Sequence, residues 1–247
     1  MTSPAFCSTT EILRPVGTER RWIDRIFPRL FSRSAEVSEV KRLTERFRII
    51  TLKGDALKGP MQLTRELVVV RRNGHLCYLG SPLSWDTVSG TIQFLDYRRC
   101  SPEGHVSSKL IQSGDILEVA CHGSQLELGM RGTSRFVLGS ETSLGIAYAL
   151  LTIGNASPFR VRLAFEVDSK EECAQVIKIL SLPKATLIER RTEGRHFHEV
   201  EATVASYAAT HGNADYVLHG GRSDINCIRR LLKNFRVAPS RIQTLMY

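Results

Sequence analysis

Phe136-Val-Leu-Gly-Ser-Glu-Thr-Ser-Leu-Gly145 leads from an apolar run through a glycine turn and an acidic–hydroxyl step into the helical segment Ile146 to Ile153. A strand–turn–helix unit of a nucleotide-type α/β domain starts this way, with backbone N–H groups at the helix start facing an open crevice. The glycines do not follow Gly-x-Gly-x-x-Gly, so the stretch specifies an architecture and not a dinucleotide.

Downstream, apolar β-type runs and amphipathic segments alternate. Strands are expected at 136–138, 161–167, 186–189, 216–219 and 242–246, with helices near 142–153, 169–180, 199–210 and 223–235. Ser169 followed by Glu171 and Glu172 marks a helix start with carboxylates at its positive end. Five strands alternating with four helices predict a doubly wound parallel sheet, whose ligand crevice lies beyond the carboxyl ends of its strands. Gly139 to Ser143 and His219-Gly-Gly-Arg222 then share one mouth.

Upstream the pattern changes to short β-type runs. Phe47 to Leu52, Glu66 to Val70, Thr91 to Leu95 and Asp115 to Ala120 are separated by Gly, Pro and Asn turns, and Val88-Ser-Gly90 reads as a hairpin connection. The predicted fold class is β-barrel plus α/β: a small antiparallel, Greek-key-like barrel over 35–132, then a nucleotide-binding-type parallel-sheet domain over 133–247. The two halves are expected to meet along a positively lined cleft. Residues 1–34 read as a basic appendage. Trp22, Ile23, Ile26, Phe27 and Leu30 share a helical face opposite arginines, a pattern that suits either a membrane surface or the body of its own protein.

Composition narrows the class. The chain of 247 residues is 42% apolar and can build real cores, but it contains no run of eighteen apolar residues, which excludes an ordinary membrane span. No basic–apolar–small-residue order predicts a cleaved secretion signal. Six scattered cysteines without a Cys-x-x-Cys pair suit a reducing compartment, so a cytoplasmic location is expected. A formal charge of +9 asks for an acidic partner or an anionic ligand. No recognition-helix or aromatic RNA-binding motif accompanies that charge, which argues against nucleic acid. His196-Phe-His198 suits a shared metal on a strand or a solvent-exposed loop pair. Hydrolase elbows, His-Glu-x-x-His and Gly-Lys-Thr loops are absent.

Four stretches over residues 36–247 together resemble the siderophore-interacting protein family, the FAD-dependent ferric-siderophore reductases of the ferredoxin-reductase superfamily. They are Phe47-Arg-Ile-Ile-Thr-Leu-Lys-Gly-Asp-Ala-Leu-Lys58, Gly139-Ser-Glu-Thr-Ser-Leu144, Ala164-Phe-Glu-Val-Asp168, and the segment from Tyr216 to Leu232. The resemblance implies FAD between barrel and α/β domain, and a ferric siderophore or other anionic ligand as partner. It leaves the electron donor open.

The same resemblance assigns the site. The family's flavin motif Arg-x-Tyr-Thr falls on Tyr78-Leu-Gly-Ser81, which keeps only the hydroxyl of Ser81; Tyr78 replaces the phosphate-binding arginine and Gly80 the stacking tyrosine. Losing both would weaken a flavin by about 2–4 kcal/mol, roughly 30- to 1000-fold. Gly104, Val106 and Ser107 match the pyrophosphate loop, and Arg98 and Arg99 are placed to supply the missing charge; a plain turn with solvated arginines fits the same residues. Gly139, Glu141, Thr142 and Ser143 would lie against the isoalloxazine, with Thr142 also suited to cap a helix. The family's Gly-Glu is here Gly220-Gly221, and Arg222 is new at that mouth, either facing an anionic ligand or solvated. Two functions follow: a ferric-siderophore reductase using FAD, or a non-catalytic member that has lost its flavin and acts as a binding or interaction protein.

Overall fold

The computed structural model describes residues 33–58, 66–72, 75–98, 111–125, 134–153, 160–191 and 194–246. Strands β1 (Arg33–Arg42), β2 (Phe47–Lys53), β3 (Glu66–Arg72), β4 (His75–Gly80), β5 (Ser84–Asp86), β6 (Thr91–Tyr97) and β7 (Ile116–Gln125) form one antiparallel sheet ordered β4-β3-β7-β1-β2-β6-β5. β7 returns to lie beside β1, the Greek-key step. β4 and β5 stand at opposite ends of that order, yet only Ser81, Pro82 and Leu83 join them. Three residues reach roughly 10 Å, whereas seven strands laid flat span about 29 Å. The sheet must therefore curl until its edges nearly meet, which makes it a barrel.

Side-chain alternation fills the interior. Ala35 and Val37, Ile50 and Leu52, Val68 and Val70, Ile92 and Phe94, and Leu117 and Val119 all lie in one buried cluster. Arg48 and Asp96, opposite each other across β2 and β6, point to the same side and form a buried ion pair; Arg48 also donates to the Ile111 carbonyl at 3.2 Å. The β5–β6 hairpin turns through Gly90 at φ +67°, as the Val88-Ser-Gly90 reading expects.

Strands β8 (Ser134–Ser140), β9 (Arg160–Val167), β10 (Ala185–Glu189), β11 (Asp215–Gly220) and β12 (Ile242–Met246) form a parallel sheet ordered β10-β9-β8-β11-β12. Helices α1 (Leu144–Ile153), α2 (Lys170–Ile179), α3 (Phe197–Thr210) and α4 (Arg222–Asn234) are the crossovers. Val137, Leu163, Phe165, Val167, Val217 and Leu245 face α1 and α2, whereas Phe136, Leu138, Ala164, Tyr216 and Leu218 face α3 and α4. This is the doubly wound arrangement the alternation predicts. Ser169 caps α2 by accepting from the Glu172 N–H.

Phe47 and Leu95, on the outer face of the barrel, are buried in the same core as α1 and α2, with Ile49 and Tyr97 packed beside them. Along β2 and β6 the halves therefore share an apolar seam, and the expected cleft does not run there. Arg46 pairs with Glu172 at 3.4 Å, and the Glu45 N–H donates to the same carboxylate at 3.1 Å.

Candidate functional site at the carboxyl ends of the parallel strands

Strands β8, β9, β10 and β11 end in Ser140, Val167, Glu189 and Gly220, so the residues that follow crowd one edge of the sheet. Gly139 lets β8 turn there: a Cβ on it would strike the Ser143 side chain. Ser143 is fully buried, accepts the Ser140 N–H at 2.8 Å and lies 2.7 Å from Nδ1 of His219. Because its oxygen receives that N–H, its own proton is free to point at the imidazole, which then accepts as a neutral ring. Burial pulls the His219 pKa down to about 4, consistent with that tautomer. Thr142 is not the cap: Ser140 holds that position, and Thr142 Oγ1 lies 2.9 Å from Ser140 Oγ inside the turn 141–143.

Glu141 is 2% exposed. Its Oε1 accepts from Arg190 Nη1 at 2.9 Å and from the Asp168 N–H at 2.6 Å, and its Oε2 accepts from Arg190 Nη2 at 2.9 Å. Arg190 Nη1 also donates to Asp168 Oδ1 at 2.5 Å, and the Tyr97 hydroxyl donates to Asp168 Oδ2 at 2.7 Å. Burial works against the Arg190 charge, but the Glu141 and Asp168 carboxylates outweigh it and raise its pKa. For Tyr97, burial and then Glu141 raise the pKa. Cys173 beneath this network is pushed up to about 12 by burial and by Glu141, so its thiol is inert.

A second cluster lies beside it. The Arg191 N–H donates to His196 Nδ1 at 3.2 Å, which leaves Nε2–H to donate to Glu166 Oε2, also at 3.2 Å. Burial lifts the Glu166 carboxyl above its usual range, against the pull of His196. Glu166, His219, Gly220 and Asp224 line a small pocket beneath the start of α4. The histidine pair expected on a strand or an exposed loop instead opens α3, with His196 buried and His198 largely exposed. Among the described residues no cluster has the make-up of a metal site.

The structure thus brings Gly139, Glu141, Thr142, Ser143 and Arg222 to one edge. Arg222 is exposed as the first residue of α4. Tyr78 lies in β4 opposite Val70. Ser81 follows that strand and is 1% exposed. Arg98 is half-buried just beyond β6, its N–H donating to the Arg46 carbonyl at 2.9 Å. Arg99, Gly104, Val106 and Ser107 lie outside the described residues. Arg190 is absent from the sequence reading, as is the contact between Glu166 and His196. The signal for Arg190 was its position just past the β-type run 186–189, where a charged residue enters the crevice.

These residues do not fit a flavin ring held in the way the resemblance implies. Gly80 offers no stacking surface, Ser81 and Ser143 are buried, and Glu141 spends both oxygens on Arg190 and the backbone. Of the positions expected against the isoalloxazine, Thr142 alone among the described side chains keeps partial exposure.

No protein-family model matches the sequence, and no curated protein matches it. Solved structures do match. The siderophore-interacting protein SipS from Aeromonas hydrophila superposes with a TM-score of 0.66 at 15% identity, over 89% of this chain and 99% of that one. The ferredoxin reductase in carbazole 1,9a-dioxygenase gives 0.66 at 17% identity, over 89% and 71%. A siderophore utilization protein from T. fusca gives 0.58 at 19%, over 86% and 90%. The barrel and the five-stranded parallel sheet together are the fold that this chain shares with siderophore-interacting proteins and ferredoxin reductases.

Proposed function

We propose that this chain is a siderophore-interacting-type protein that binds an anionic ferric chelate on a reductase scaffold without a tightly held flavin. One observation carries the reading: the groups aimed at a flavin ring are either replaced, at Tyr78 and Gly80, or spent within the sheet, at Glu141 and Ser143. Arg191 and Arg222, by contrast, are exposed around the carboxyl edge, where an anion can meet them. Hard oxygen ligands hold Fe(III), and their residual negative charge is what guanidinium groups recognise.

The test is a titration of the full chain with FAD and, separately, with a ferric catecholate chelate. The expected protein is colourless and stays so after FAD and gel filtration. It binds the chelate, and Arg191→Glu with Arg222→Glu weakens that binding at least about tenfold. A protein that is yellow as purified would overturn the flavin-free reading.

A second reading, an FAD-dependent ferric-siderophore reductase, is favoured by the fold match over 89% of the chain and by the half-exposed Arg98 at the end of β6. In that case Arg98, Arg99 and the loop Gly104 to Ser107 would hold the pyrophosphate, and the flavin would supply the electron transfer to iron. It predicts stoichiometric FAD retention.

A further inference from the structure

Helix α4 buries Ile225, Ile228 and Leu232 against the sheet and turns an unusual face outward. Arg222, Arg229, Arg230 and Lys233 are all exposed on it, with Arg236 exposed just beyond its end, and Asp224 is its only acidic residue. Among the described residues none of these five cations makes a side-chain hydrogen bond or ion pair, whereas Arg46, Arg48, Arg72, Arg190 and Arg241 elsewhere each have a carboxylate. At about 100° per residue, Arg229 and Lys233 fall within about 20° of Arg222, at about 10 and 17 Å along the axis. They form one stripe. Arg229 and Lys233 repel at i,i+4, and Arg222 sits at the positive end of the helix dipole, so both placements work against the helix.

We propose that this stripe docks an acidic protein surface. It is polar between its charges, where Ser223 and Asn226 lie, and the exposed Phe235 at the helix end falls about 140° away from it, so the stripe itself carries no apolar wedge to enter a bilayer. No recognition-helix or aromatic RNA-binding motif accompanies these cations, so base readout in a nucleic-acid groove is not what the stripe offers. Spaced guanidinium and ammonium groups on a flat face suit carboxylates on an opposing protein. The stripe begins immediately after Gly220-Gly221, so a partner seated on it lies at the mouth of the candidate site. The inference stands whichever reading of that site holds.

The experiment measures binding of the full chain to poly-L-glutamate as a function of salt, with duplex DNA and phosphatidylserine vesicles as parallel probes. Binding to poly-L-glutamate should fall at least about tenfold in the triple variant Arg222→Glu, Arg229→Glu, Lys233→Glu. A matched triple, Arg160→Glu, Arg162→Glu, Lys184→Glu, changes net charge equally at the opposite end of the strands, where all three cations are exposed, and should retain most of the binding. Glutamine versions of both triples serve if charge reversal unfolds the chain. Equal losses in the two triples overturn the proposal. So does an absence of binding, or binding to DNA or vesicles that is tighter and lost in the α4 triple.

Discussion

Arg190 grips both carboxylate oxygens of Glu141, Nη1 to Oε1 and Nη2 to Oε2, each at 2.9 Å, and so ties the end of β10 to the turn after β8 across the intervening β9. The same guanidinium holds Asp168, which Tyr97 reaches from the barrel. One side chain thus sets the edge of the sheet and its registry with the other half. Removing it leaves a buried, unpaired carboxylate. Arg190→Met should cost about 3–5 kcal/mol, towards the low end because the guanidinium is part-exposed. The check is a urea denaturation midpoint at unchanged slope; a loss below about 1 kcal/mol would mean that water already shares the pair.

Gly139 is required by packing. Alanine there must displace the Ser143 side chain, which is fixed by Ser140 and His219. Gly139→Ala should lose about 1–3 kcal/mol. Gly212, which has open space at its Cβ position, is the control, and Gly212→Ala should stay within about 0.5 kcal/mol. Equal stabilities for the two variants would refute the packing argument.

The buried His219 gives stability a definite pH dependence. Its folded pKa of about 4 lies below the ordinary histidine value of 6.5, so the unfolded chain binds more protons between those values. Its contribution is complete above about 6.5 and is lost as pH falls towards about 4, with a slope near 1.4 kcal/mol per pH unit inside that window. Glu166, whose carboxyl is raised by burial, pulls the other way, favouring the fold as it protonates. The difference between wild type and His219→Gln isolates the histidine. That difference should narrow from pH 7 to pH 4; a constant gap would show that His219 titrates normally.

How much of this was legible in the sequence depends on whether a residue's role is local. The parallel half could be read because β8, β9, β10 and β11 each carry a short apolar stretch and Ser169 with Glu172 is a local cap. β1 was missed because its exposed residues dominate: Glu36, Glu39, Lys41 and Arg42 outnumber its buried Ala35 and Val37. β4 has only the four residues Leu76 to Leu79 between His75 and Gly80, too short a run to show alternation, and β5 is only three residues long. At the site, the glycine turn announced Gly139 to Ser143, but Arg190 meets Glu141 across 49 positions and His219 meets Ser143 across 76. No local pattern encodes such meetings. The resemblance implies ligand-facing roles for Glu141 and Ser143, whose side chains the fold engages with Arg190, Ser140 and His219.

A substitution at Tyr78 tests the register of the resemblance itself. Tyr78 pairs with Val70 midway along the β3–β4 ladder, where relatives are expected to carry a phosphate-binding arginine. If that placement is right, Tyr78→Arg restores a charge-assisted hydrogen bond of about 1.5–3 kcal/mol, a gain of roughly 10- to 150-fold in FAD affinity. Tyr78→Lys should gain less, since an ammonium cannot make the paired contacts of a guanidinium. Quenching of FAD fluorescence on titration reads both. A graded gain, arginine above lysine above tyrosine, means that the barrel still offers a flavin path that the sequence has let lapse. No gain from arginine means that β4 no longer faces a flavin at all, and the reductase reading then loses its best remaining support.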